Sequence, residues 1–80
     1  MLEWLPVELS DWIDQQGGYA AAAEKLGESP RAVRSWYYAE RAPGLAAAAK
    51  IIKVSDYLVD FNGIYWPLAL RILGFEKPSK

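Results

Sequence analysis

Arg31 and Arg34 stand three residues apart, the interval that sets two side chains on one face of a helix. Each guanidinium is charged at every physiological pH and offers its N–H groups as a planar fork. Either can donate two parallel hydrogen bonds to a paired acceptor such as the O6 and N7 edge of guanine. A good pair of that kind discriminates against the wrong base by about 1–3 kcal/mol. Ser35, beside them, can donate or accept, and Tyr38, one turn beyond Arg34, joins an apolar ring to a hydroxyl. This is the chemistry of recognition rather than of bond cleavage. The competing interpretation is an ordinary solvated helix face, with Arg31 paired to Glu28 at little gain.

Other chemistries find little support. The chain has 80 residues, with no cysteine and no histidine. That excludes the commonest zinc sites, Ser-His and Cys-His catalysis, disulfides and a histidine pH switch. Glu8, Asp11 and Asp14 are better read as a solvated acidic face than as an acid–base pair or a metal site. Gly17-Gly18 lacks the lysine and serine that a phosphate-cradling loop requires. No cofactor, metal or small-molecule ligand is expected, and no enzymatic activity.

The formal charge of −1 conceals a strong asymmetry. Residues 1–24 carry five acids (Glu3, Glu8, Asp11, Asp14, Glu24) and no base. Residues 25–53 carry Lys25, Arg31, Arg34, Arg41, Lys50 and Lys53 against Glu28 and Glu40 alone. Such segregation is what one basic working face would produce, although chance clustering in a short chain would produce it too. A composition 52% hydrophobic and 14% aromatic argues for a packed core. The length allows only one. Charges break the apolar runs well short of the roughly 20 residues of a membrane span. Met1 to Leu9 shows no basic leader, so a soluble cytoplasmic domain is expected.

The basic stretch needs elements to hold it. Leu9, Trp12, Ile13 and Gln16 recur at helical spacing, predicting a first helix over 6–16, opened by Pro6 and ended by Gly17-Gly18. Tyr19 to Leu26, with four consecutive alanines, predicts a short second helix stopped by Gly27. Ser29-Pro30 reads as N-cap and first residue of a third, running past Val33 and Trp36 to about Ala39. Trp36 belongs to the core, while Tyr37 and Tyr38 face solvent; a stacking platform for single strands is the weaker alternative. Pro43-Gly44 marks a loop before a fourth helix, Leu45 to Val54. The chain then admits two readings. Asn62-Gly63 between strand-forming flanks predicts a β-hairpin over 57–66, the favoured one. Ala47, Ile51, Val54, Leu58 and Phe61 equally form a helical stripe. Pro67 then opens a last helix to Leu73, closed by Gly74, and 76–80 reads as a flexible tail.

The segment YAAAAEKLGESPRAVRSWYY, Tyr19 to Tyr38, resembles the helix-turn-helix of Cro- and repressor-type (Xre-like) regulators of phages and bacteria. Ala23 occupies the small-residue position where the two helices touch, and Gly27 the turn position that needs positive φ. Leu26, Val33 and Trp36 fall on the buried sides. The following ERAP, the alanine-rich helix and Ile64-Tyr65 with Pro67 resemble that family's downstream half, so the likeness spans about Leu9 to Pro67. It implies a mainly α, lambda-repressor/Cro-like domain of four to five short helices whose third helix, 29–39, enters the major groove. Mapped onto this chain, the base-reading residues would be Ser29, Pro30, Arg31, Arg34, Ser35 and Tyr38. Tyr19, Lys25, Arg41 and Lys50 would contact phosphates. The glutamines that family members often carry are replaced by Pro30 and Tyr19, so recognition would lean on the arginines.

The C-terminal part, Tyr57 to Phe75, holds more apolar bulk than a monomer of this size easily covers. A symmetric homodimer through 57–75 is expected, with Tyr57, Val59, Phe61, Ile64, Tyr65 and Trp66 at the interface and Leu2 to Leu5 as an added strand beside the hairpin. Trp4, Trp12 and Trp66 read as core or interface anchors. The whole, residues 1–75, is expected to be one DNA-binding domain, a regulator (a repressor before an activator) occupying a palindromic operator on double-stranded DNA. The alternative is a protein-interaction module on the same fold, antitoxin- or adaptor-like.

Overall fold

The computed structural model describes residues 7–74. Over them the chain forms five α-helices: α1 Leu9–Gln15, α2 Tyr19–Leu26, α3 Pro30–Tyr37, α4 Leu45–Val54 and α5 Phe61–Leu68. A π-helical turn, Ala69–Leu73, extends α5. No strand occurs among the described residues. The expectations for Trp4, Pro6, a Leu2–Leu5 strand and the 76–80 tail lie outside them.

The predicted boundaries of the first four helices hold to within about three residues, because local signals set them. Gly17 and Gly18 adopt φ of 103° and 114°, which turns the chain sharply between α1 and α2. Gly27 closes α2 in the left-handed conformation, φ 69°. Ser29 caps α3, its Oγ accepting from the Ala32 N–H at 3.1 Å, and Pro30 supplies a first residue whose missing N–H costs nothing. Packing does the rest. The alanines of α2 let α3 approach closely, and these two helices make the most extensive contact among the described elements. Ala23, Leu26, Val33 and Trp36 are buried between the helices, as are Leu9, Trp12 and Ile13 of α1. Ala48 and Ile51 of α4 close the core beside α2. Each fully buried Ile or Val contributes about 1.5–3 kcal/mol relative to exposure, as an upper estimate.

Neither reading of 57–66 survives. Helix α4 ends at Val54 with Ser55 as its C-cap, and Asp56 and Tyr57 then take left-handed backbone, φ 57° and 68°, which no continuous helix tolerates. The hairpin fails because Asn62 and Gly63 lie in the first turn of α5. Asp60 caps that helix, its Oδ1 accepting from the Gly63 N–H at 2.9 Å. Between the helices, buried Ser55 donates to the Ile52 carbonyl at 3.2 Å while its Oγ accepts from the Val59 N–H at 3.2 Å. Val59 and Ile64, read as strand formers, enter the core from this corner instead; burial overrides β-propensity. Pro67 does not open a helix but sits inside α5. It has no N–H to give the Gly63 carbonyl, and the wider π turn follows directly after α5. Gly74 closes that turn at φ 75°.

Candidate functional site

Helix α3 presents the predicted side chains on the surface. Ser29, Pro30, Arg31 and Arg34 are exposed, Ser35 is half-buried and Tyr38 is 49% exposed. Ser29, Arg31, Arg34 and Ser35 line one groove together with Ala32, Glu40 and Arg41. Arg41 reaches it because Ala39, at φ 60°, turns the chain after α3, and the Glu40 and Arg41 N–H groups then point at the Ser35 carbonyl. Glu40 was no part of the expected set, and it places one carboxylate among three guanidinium groups.

Hydrogen bonding refines the role of each hydroxyl. Ser29 Oγ spends a lone pair on its cap, which leaves its O–H free as a donor. Ser35 does the reverse: its O–H donates to the Arg31 carbonyl at 3.2 Å, leaving only acceptor capacity. Arg34 is held from below, its Cζ 5.1 Å from the centroid of the Tyr38 ring.

Tyr38 stands in an aromatic cluster. Its ring meets Tyr37 edge-on at 5.0 Å and Tyr19 at 6.5 Å, and Tyr19 lies 6.3 Å from Tyr37. Tyr37 in turn donates its phenol hydrogen to Asp14 Oδ1 at 2.8 Å. That bond and the carboxylate's charge hold the Tyr37 pKa above the usual 10.0, because ionising the phenol would set two anions side by side. Asp14 is therefore more than a solvated acid; it anchors the end of α3 to α1.

The expected phosphate contacts divide. Arg41 is exposed and lines the groove. Lys25 is exposed and donates to Gln16 Oε1, a neutral partner that leaves its charge intact. Lys50 is ion-paired with Glu28 at 2.7 Å. Tyr19 is half-buried and packs against the core. Among the described residues Lys50–Glu28 is the one ion pair within 4.0 Å, so Arg31 is not paired with Glu28. Among the described residues the arginines of the groove likewise have no carboxylate within that distance.

The expected dimer residues also divide. Tyr57 is 71% exposed and Phe61 49%, stacked on Tyr65 at 6.3 Å; Tyr65 and Trp66 are half-buried. Val59 and Ile64 are wholly buried in the chain's own core, so they are not available to a partner. Leu58, Ile72 and Leu73, within the expected 57–75 segment, are exposed, and so is Leu45, which lies outside it. Ile72 and Leu73 line an apolar groove with Ala42, Tyr65, Leu68 and Ala69.

Among the described residues no cluster of three or more carboxylates could hold a metal ion, and no helix is long and apolar enough to cross a membrane. Comparison with protein-family models, with curated proteins and with solved structures gives no match to this chain.

Proposed function

We propose that this chain is a sequence-specific double-stranded DNA-binding regulator in which α2 and α3 form a helix-turn-helix and α3 enters the major groove. The observation that carries this reading is the groove on α3. Arg31, Arg34 and Arg41 surround it with no ion-pair partner among the described residues. Unpaired arginines on an exposed helix supply charge for phosphates and planar forks for base edges. The left-handed Gly27, the small Ala23 at the contact and the buried Val33 and Trp36 agree with the resemblance to Cro- and repressor-type regulators. Glu40 in the groove and a net charge of −1 point to weak non-specific binding and a greater share for base contacts.

The regulator acts as a cytoplasmic homodimer on a palindromic operator, and the reading assigns it no reaction. Exposed Tyr57, Leu58, Phe61, Ile72 and Leu73 supply an apolar surface for the two-fold contact, which would set two copies of α3 about 34 Å apart. The same exposed side chains favour a second reading, a protein-interaction module. Amide chemical shifts recorded while duplex DNA is added separate the two. Changes concentrated on Ser29, Arg31, Arg34, Ser35 and Arg41 support DNA recognition. Unchanged α3 amides at about 50 mM salt, where phosphate contacts are little screened, overturn it in favour of the interaction module.

A further inference from the structure

We infer that Arg34 reads a guanine in each half-site, and that Tyr38 is the positioning residue that holds it ready to do so; this rests on the proposed DNA-binding reading. The two arginines of α3 are alike in sequence but differ in the fold. Arg34 has its guanidinium carbon 5.1 Å from the Tyr38 ring centroid, whereas no aromatic ring lies over Arg31 among the described residues. A cation over a ring uses its charge and leaves its N–H groups unspent, so the donors of Arg34 stay available for a bidentate pair. Tyr38 itself is packed on one side and exposed on the other. It lies at the end of α3, contacted edge-on by Tyr37 and by Tyr19, and Tyr37 is tied to Asp14. The order Asp14, Tyr37, Tyr38, Arg34 therefore links α1 to a guanidinium on the exposed face of α3.

Preorganisation of this kind matters most for a long side chain, because ordering Arg34 on binding is then partly complete beforehand. Guanine is the base it suits. Only guanine presents two adjacent acceptors, O6 and N7, to the major groove. Ser35, its hydrogen spent on the Arg31 carbonyl, offers only acceptors nearby and so suits the N4 amino group of cytosine or the N6 amino group of adenine. Arg31, unrestrained, is expected to add affinity with less base preference.

The test measures wild-type binding to a duplex selected from a randomised library and to its single-base variants, then repeats this with Arg34→Ala, Arg31→Ala, Tyr38→Leu and Tyr38→Phe. Arg34→Ala should flatten the preference for guanine at one position of each half-site, a loss of about five- to 150-fold in discrimination. Tyr38→Leu should weaken that same preference about two- to fivefold. Tyr38→Phe, which keeps the ring, should leave it unchanged, and all four variants should keep the helical circular dichroism of the wild type. If Arg34→Ala binds with every base preference intact, or Tyr38→Leu discriminates as the wild type does, this inference is wrong while DNA recognition by α3 stands. If the wild type selects no motif at all, the DNA-binding reading itself fails and this inference falls with it.

Discussion

A Cβ placed on Gly63 would stand 2.3 Å from the carbonyl oxygen of Val7. The first turn of α5 thus packs directly against the backbone that leads into α1, and only glycine leaves room for it. Gly63→Ala should therefore destabilise the fold. Overpacking against backbone costs about 1–3 kcal/mol, and the gain in helix propensity of about 1 kcal/mol offsets only part of that. Thermal unfolding should show a midpoint lowered by several degrees. A midpoint equal to or above that of the wild type would contradict the packing of α5 on residue 7.

The contact between Tyr37 and Asp14 predicts a pH effect. The phenol is neutral in its stabilising form, and its pKa is raised in the fold. Its contribution is thus complete below 10, the unfolded value, and is lost as pH rises through the folded value. Asp14→Asn should bring the Tyr37 pKa down toward 10, read from its ring carbon shifts during an alkaline titration. An unchanged titration would show that the Asp14 carboxylate is not the cause.

Much of this architecture is legible in the chain, and the reason is locality. Gly27, Ser29 and Pro30 act on their own turn of backbone, so α2, α3 and the face bearing Arg31 and Arg34 follow from sequence. The segment from Ser55 to Asp60 does not. Its path depends on the buried Ser55 hydroxyl reaching the Val59 N–H, and on Val7 lying against Gly63. Asn62-Gly63 carries a strong hairpin signal, yet Asp60, two residues earlier, caps a helix and decides the outcome. The site shows the same division. Exposure of the arginines was legible, whereas the partners Lys50–Glu28 and Tyr37–Asp14, 22 and 23 residues apart, exist only once the helices have packed.

Glu28 restrains one of the basic groups. Its bond to Lys50 at 2.7 Å lies near the surface and is worth at most about 1 kcal/mol. Glu28→Gln removes that charge and frees Lys50 for a phosphate. The expected result is tighter binding to random-sequence duplex, with a salt dependence steeper by about 0.9 in logarithmic slope and a nearly unchanged melting midpoint. An unchanged slope would place Lys50 away from the DNA backbone.

The apolar groove of Tyr65, Leu68, Ile72 and Leu73 predicts the assembly state. Sedimentation at micromolar concentration should give twice the protomer mass. Ile72→Asp, which buries no charge in the protomer because Ile72 is exposed there, should give a folded monomer. A monomeric wild type would contradict dimerisation through this surface.

Selection of bound fragments from a randomised duplex library, at about 50 mM salt, tests the central claim most directly. Recognition by a dimer through α3 predicts a two-fold motif whose half-sites lie about one helical turn, or 34 Å, apart, lost when Arg31 and Arg34 are both replaced by alanine. A folded protein that enriches no sequence, or a motif that survives the double substitution, would contradict it.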